Sequence, residues 1–323
     1  MISINNGCKW VARIKTAFSL ALLLLSGCAS TQQEQGQQWK SLLHTEHVLV
    51  GMIWDSQADK YIAADELLTR IEGVSYLLLG EKHDNPDHHT LQLRALDHVL
   101  QTDNVSAVSF EMMSSEQQPL LRNLPLGPQS SLEQINKYLQ WDNDGWNWAY
   151  YGPLLRSAIQ ADVLINAVNI SNEEMMQVYG APTIAEIEGV LDEQTMAALE
   201  KDIDESHCGM LPESQFPAMV RVQQARDFAM AASLAPNAQQ QLQVLIAGNY
   251  HIRRDLGVPN YLLNGQSSLE ESQIVSLAFM EVDEASNDPI DYLQQFGSVK
   301  AYDYIWFTPA VSAEDYCASL RQQ

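Results

Sequence analysis

Apolar positions along the chain fall into two patterns. Short, mainly apolar runs at 48–54, 76–79, 107–110, 163–168, 244–247, 274–279 and 304–307 have the length and composition of buried strands. Between them, apolar residues recur at three- and four-residue spacing, as amphipathic helices require. The clearest such stretch takes Asp84 or Asn85 as N-cap and Pro86 as its first helical residue. It continues to about Leu100, with Leu93, Leu96 and Leu100 as its buried stripe. Strands alternating with helices predict an α/β fold, a mainly parallel sheet flanked by helices. From about 114 to 240 only one run reads as a strand, so a mostly helical insertion or subdomain is expected there.

The first residues follow neither pattern. Lys9, Arg13 and Lys15 precede an apolar run at 17–25, and no acidic residue occurs among residues 1–28. A run this short does not span a bilayer, which takes about 20 apolar residues, but it suits the core of a signal peptide. It ends in Leu25-Ser26-Gly27-Cys28, a bacterial lipobox: an aliphatic residue, two small ones and the cysteine that takes lipid. Residues 1–27 therefore read as a lipoprotein signal peptide and Cys28 as the lipid attachment site. Residues 28–46 read as a lipidated polar linker and 47–323 as the folded domain. One acyl chain such as palmitate anchors only marginally, so several chains on Cys28 are expected. Ala29 and Ser30 follow the cysteine and no Asp does. In a host with two membranes that points to the outer membrane, at its periplasmic face.

Charge narrows the partners. The chain carries 41 acidic and 18 basic side chains, a formal charge of −23, which becomes −26 once the three basic residues of the leader are gone. Such a surface does not bind nucleic acid through its phosphates and meets anionic lipid only through a tether. At 46% hydrophobic residues the chain is globular. Of four cysteines, Cys8 leaves with the leader and Cys28 is lipidated. Cys208 and Cys317 remain, to pair in an oxidising compartment or to stay as two buried thiols.

Candidate chemistry gathers where apolar runs end. Residues 76–79 lead into Gly80-Glu81-Lys82-His83, residues 108–110 into Glu111, and residues 244–247 into Gly248-Asn249-Tyr250-His251. Parallel strands place such ends on one edge, where open α/β sheets bind ligands. Glu81, His83, Glu111 and His251 are therefore expected to converge on one rim. His89, a turn before Leu93, is expected to reach it from the helix, while His88 points away. Such a set suits a divalent metal with one carboxylate as general base, or an acid–base pair without metal. Arg226 either neutralises the rim carboxylates or grips an anionic group. An aromatic segment, Trp141 to Pro153, is a core corner or a ligand wall. No Gly-rich phosphate loop and no Gly-x-Ser-x-Gly elbow occurs, which leaves kinase, dinucleotide and serine-hydrolase readings without support.

Several of these segments together resemble the ChaN-like family of haem-binding, iron-regulated lipoproteins, within the wider Tiki and erythromycin-esterase-like superfamily. They are Leu79-Gly80-Glu81-Lys82-His83-Asp84-Asn85-Pro86, His88-His89, Ser109-Phe110-Glu111-Met112, His207-Cys208-Gly209, Gln224-Ala225-Arg226-Asp227 and the stretch from Gly248 to Pro259. They cover roughly residues 48–310. The resemblance implies haem as ligand, a tyrosine on the iron, a homodimer around the haem and an outer-membrane haem receptor as partner. Tyr151 matches the family's aromatic-rich stretch best. A small residue is expected where Tyr250 stands, so that phenol either narrows the pocket or faces a ligand. Hydrolases of the wider superfamily, some metal-dependent, keep an enzymatic alternative open.

Overall fold

The computed structural model describes residues 38–234, 241–293, 297–314 and 317–318. The expected signal peptide, Cys28 and most of the linker lie outside these residues. The strands are β1 (Ile53–Asp55), β2 (Lys60–Ile62), β3 (Tyr76–Leu79), β4 (Val105–Ser114), β5 (Leu164–Asn169), β6 (Leu242–Ile246), β7 (Ile274–Glu281) and β8 (Tyr304–Thr308). The helices are α1 (Ala64–Ile71), α2 (Pro86–Leu100), α3 (Gln118–Arg122), α4 (Leu132–Tyr138), α5 (Trp148–Gln160), α6 (Asn172–Gly180), α7 (Glu193–Ser206), α8 (Phe216–Ser233) and α9 (Val258–Gly265).

The strands form one sheet in the order β2-β1-β8-β7-β3-β6-β4-β5. From β8 to β5 every neighbouring pair is parallel, while β1 runs antiparallel to β2 and β8. The fold is thus the expected α/β arrangement with an antiparallel hairpin closing one edge. Side chains alternate across it as strand geometry demands. Leu77 and Leu79 of β3 join a core with α1, α2 and α5, whereas Tyr76 and Leu78 join one with α8 and α9. A strand sandwiched this way must be apolar at every position, and all four residues of β3 are buried. The helices α3 to α8 and the single strand β5 occupy residues 118–233. Among the described residues no helix is long and apolar enough to cross a membrane.

Two sequence expectations are corrected. Of the run 48–54 only Ile53 and Trp54 are strand; the residues before them turn, with Val50 N–H donating to the His47 carbonyl, Met52 N–H to that of Leu49, and Gly51 at φ +79°. Leu49 and Val50 are buried all the same, so their apolarity reflects burial and not extension. The stripe of α2 is also rotated. Asn85 caps the helix, accepting from Asp87 and His88 N–H groups. The buried positions are His88, His89, Leu91, Gln92, Ala95, Leu96 and Val99, with Leu93 and Leu100 only partly covered.

Candidate functional site

The register of the central strands sets the site. β3 and β4 flank β6, pairing Leu79 and Phe110 with Ile246. The next residues on β3 and β4, Gly80-Glu81 and Glu111, therefore emerge beside Ala247-Gly248. Chain crossings lock this edge. Gly80 N–H donates to Leu277 O at 2.9 Å, Ala247 N–H to Leu79 O at 3.2 Å and Asn249 N–H to Glu81 O at 2.8 Å. The turn after β6 folds tightly enough that a Cβ on Gly257 would lie 2.2 Å from the His251 carbonyl oxygen, so only glycine fits.

Glu81, His83, Glu111 and His251 converge. Glu81 Oε1 lies 2.5 Å from His83 Nδ1, and Glu111 Oε1 lies 3.3 Å from His251 Nε2. Gly248 N–H donates to Glu111 Oε2 at 2.7 Å, and a Cβ on Gly248 would sit 3.1 Å from His83 Cε1 and 3.7 Å from that same carboxylate oxygen. Three of the four are buried, while the His83 side chain is 46% exposed. His83 is thus the imidazole that solvent and a substrate can reach.

A fifth member was not singled out from the sequence. Asp227 Oδ1 stands 2.6 Å from His251 Nδ1, so the imidazole bridges two carboxylates. The Gln223 amide nitrogen donates to Asp227 Oδ2 at 3.4 Å and lies 3.1 Å from His251 Nδ1. The i, i+4 spacing of Gln223 and Asp227 on one helix face was the available signal. Burial alone would depress His251, but the charges of Glu111 and Asp227 outweigh it and hold the imidazole up at about 10. Burial alone would raise Glu111, but His251, His83 and the Gly248 N–H bring it down to about 2. Burial keeps Asp227 above its ordinary range despite His251. Burial also works against His83, and Glu81 more than offsets it, raising that imidazole.

The two neighbouring histidines on α2 support the rim without joining it as free donors. His89 Nε2 lies 3.1 Å from the His83 carbonyl and Nδ1 3.1 Å from Gln92 Oε1. Its ring stacks on Tyr150 at 4.7 Å. His88 does not face solvent: it is fully buried, its Nδ1 accepting from Lys82 N–H at 2.9 Å and its Nε2 donating to Thr308 Oγ1 at 2.9 Å. Burial depresses both imidazoles.

The aromatic segment is a core corner behind the rim. Trp146 meets His83 edge-on at 4.8 Å, and Trp141 packs against Trp148 at 5.1 Å. Asp142 Oδ1 accepts from Asp144 and Gly145 N–H groups, which closes a turn within the segment. Tyr151 is fully buried, its hydroxyl donating to Glu81 Oε1 at 3.1 Å. Burial and the Glu81 charge both push its ionisation upward. The phenol supports Glu81 from beneath the rim.

Arg226 and Tyr250 lie elsewhere, in the wall of a cavity of about 710 Å³ between α6, α7 and α8. Arg226 makes no ion pair among the described residues, so it does not neutralise the rim. Its Nη2 approaches Met175 Sδ at 3.7 Å, and its Nε is buried without a hydrogen-bond partner. The Tyr250 hydroxyl donates to Asp202 Oδ2 at 3.1 Å, and Arg253 lies over its ring. Burial and Asp202 raise that phenol as well. Met175, Met176, Met219, Tyr179, Ile203, Val222 and His207 line the same cavity. Cys208, next to His207, is joined to Cys317 in a disulfide with Cα atoms 5.3 Å apart.

The family model described as haem-binding uptake, Tiki superfamily, ChaN matches residues 67–262. The chain belongs to that family. Its fold is similar to that of ChaN of Campylobacter jejuni, whose structure is titled for cofacial haem binding. The identity is 22%, the TM-score 0.65, and the match covers 79% of this chain and 95% of that one. A mutant erythromycin esterase, EreC, in its open conformation is a more distant match at 13% identity and a TM-score of 0.42, covering 78% of this chain and 95% of the esterase. No curated protein matches the sequence. Within the ChaN-family region lie the whole rim, the cavity lining and Cys208. Among the described residues, no three or more His, Cys, Asp or Glu side chains are grouped so as to hold a metal ion.

Proposed function

We propose that this chain is a haem-binding lipoprotein of the outer membrane that assists haem and iron acquisition. It would be held through Cys28 at the periplasmic face, dimerise on haem and receive its ligand from an outer-membrane haem receptor. The observation that carries the reading is the cavity between α6, α7 and α8. Its volume suits a small-molecule ligand. Its wall is mostly apolar, with three methionines and two tyrosines, and the one guanidinium in it has a buried Nε with no partner. An apolar ring system carrying carboxylates supplies what such a wall lacks: contact for the apolar side chains and an acceptor for Arg226. Bound haem would bring a ferric iron open to axial ligation. The chain's own residues exclude water around the ring and orient its charged edge. Titration of the purified full-length chain with haemin should give a shifted Soret band that saturates at one equivalent per chain. No spectral change at micromolar haemin would sink the reading.

The half-exposed His83 favours a second reading, hydrolysis. Glu81 orients the ring and raises its basicity, an arrangement suited to taking a proton from water. A divalent cation at the rim is the metal-dependent form of this reading. It requires the Glu111–His251 pair to open so that both groups turn to the ion. Turnover of an ester or peptide panel that is lost in H83A would support hydrolysis. A panel with no substrate turned over, beside tight haemin binding, would refute it.

A further inference from the structure

The chain enters the fold on the same edge of the sheet as the rim. The Lys40 and Ser41 N–H groups donate to the two carboxylate oxygens of Asp87, in the first turn of α2, at 2.9 and 2.8 Å. Leu43 then forms an antiparallel bridge with Ala310, just past the end of β8, with N–H to carbonyl distances of 3.2 and 3.0 Å. Gly51 N–H donates to the Phe307 carbonyl at 3.0 Å, so residues 44–50 leave the end of β8 and return to it. Contacts join this entry to the rim. Asn85 Nδ2 donates to the Pro309 carbonyl at 3.1 Å and to Glu281 Oε1 at 2.8 Å. Val311 N–H donates to that same oxygen at 3.0 Å, and Lys82, beside His83, pairs with Glu281 Oε2 at 3.2 Å.

Apolar side chains stand exposed at this entry. With Leu43 opposite Ala310 in an antiparallel bridge, Leu42 falls opposite Val311. Leu42 is 80% exposed and Val311 36%, and Val48, within the 44–50 excursion, is 69% exposed. Single apolar side chains on a surface are ordinary; these lie where the chain leaves the domain towards Cys28. Nine residues separate Cys28 from Gln38, and even fully extended they span at most about 35 Å. A domain of nearly 300 residues has a radius of gyration of about 19 Å and is about 50 Å across. A lipid on Cys28 is therefore too closely tied for the opposite edge of the sheet to meet the bilayer. Tethering also raises the local concentration of the entry edge at the surface, so a few apolar side chains that could not hold a free protein suffice to orient a tethered one. The mature charge of −26 repels anionic lipid, which leaves zwitterionic headgroups as the surface that fits.

We propose that the carboxyl edge of the sheet, through Leu42, Val311 and Val48, rests on a zwitterionic phospholipid surface, which turns the rim and the exposed side of His83 towards the bilayer. The proposal rests on the Cys28 anchor of the reading above and is independent of haem.

The full-length chain is purified with its lipid and reconstituted into phosphatidylcholine vesicles containing a nitroxide-labelled headgroup lipid. With Cys28 acylated, Cys8 removed with the leader and Cys208 joined to Cys317, an introduced cysteine is the one thiol open to an environment-sensitive fluorophore. L42C reports on the apolar spot. D84C, at a side chain 63% exposed beside His83, reports on the rim. Q101C reports from the far end of α2, about 22 Å away along its 15 residues. The L42C label should emit further to the blue than that of Q101C and be quenched several-fold more strongly, with D84C also quenched above Q101C. Adding L42D/V311D to the D84C chain should bring its quenching down to the Q101C level. An L42C label quenched no more than Q101C would overturn the lipid contact. D84C quenching unmoved by L42D/V311D would overturn the turning of the rim. An L42C shift that follows protein concentration without lipid would make a second copy of the chain the occupant and overturn lipid in that place. Label taken up by the unaltered chain would show Cys28 unblocked, which overturns the lipoprotein reading and this orientation with it.

Discussion

Glu111→Gln tests whether the rim is held together by charge. The side chain is 3% exposed, and its oxygens engage His251 and the Gly248 N–H. Glutamine keeps the shape and removes the charge. Holding a carboxyl at about 2 instead of 4.5 corresponds to about 3 kcal/mol, and holding His251 at about 10 instead of 6.5 to about 5 kcal/mol. Each also carries other partners, Asp227 for His251 and His83 with the Gly248 N–H for Glu111, so they bound the worth of the pair from above and are not summed. Breaking a buried pair by removing one partner falls in the same range, about 3–5 kcal/mol. Urea unfolding followed by far-UV circular dichroism at pH 7 should show a lower midpoint with unchanged slope. The pH dependence follows from the directions. Glu111 has a depressed pKa when folded, so its contribution is present above 4.5 and is lost as pH falls through about 2. His251 has a raised one, so its contribution is complete below 6.5 and is lost as pH rises through about 10. E111Q should flatten the alkaline limb, because Glu111 is the foremost charge raising His251. The double variant E111Q/H251Q should lose less than the two single losses added, by about 1 kcal/mol or more. An E111Q midpoint within about 1 kcal/mol of the unaltered protein, or strict additivity, would refute the pairing.

C208S removes a crosslink between residues 109 positions apart and should lower stability by about 2–4 kcal/mol; the same fall on adding reductant to the unaltered chain, absent in C208S, confirms its origin. Y151F deletes the hydroxyl that serves Glu81 and should lower stability by about 1.5–3 kcal/mol with haemin titration unchanged; loss of the Soret shift would show that this phenol reaches the iron. G257A forces a methyl against the His251 carbonyl, which should lower stability by about 1–3 kcal/mol or more, read as a drop in melting temperature.

The parallel core was legible because β3, β6 and β7 are covered on both sides, and that coverage demands continuous apolar runs. The strand-end cluster followed from it, since parallel strands bring their carboxyl ends to one edge whatever the sequence separation. Other features escaped because one sequence signal had two physical causes. Leu49 and Val50 are apolar because they are buried in turns, which mimics a strand. In α2 the search for one stripe missed that the helix packs on both the sheet and α5, so adjacent His88 and His89 are both interior. In α8 the buried residues include Val220, Val222, Gln224, Ala225, Asp227 and Met230, spread around the helix and without helical period. A carboxylate within such a stretch gives no hint of which side it faces. Lys60–Ile62 was missed because an edge strand of three residues, one exposed and one half-covered, carries almost no pattern.

The two sides of α8 explain why a polar rim and a mostly apolar cavity lie on either side of one helix. Gln223 and Asp227 face His251, while Met219, Val222 and Arg226 face the cavity. On the rim side charges are matched internally, Glu81 with His83 and Glu111 with His251. An anion placed there would meet carboxylates whose partners are already engaged, and it would gain little. On the cavity side the only strong charge without a partner among the described residues is the Arg226 guanidinium. An anionic, apolar ligand would therefore gain more in the cavity than at the rim, while a neutral substrate or water would suit the exposed face of His83. Because Gln223 borders both, an occupant that shifts α8 would be felt at Asp227 and His251. The same helix thus separates two chemistries and provides the physical route by which one could influence the other.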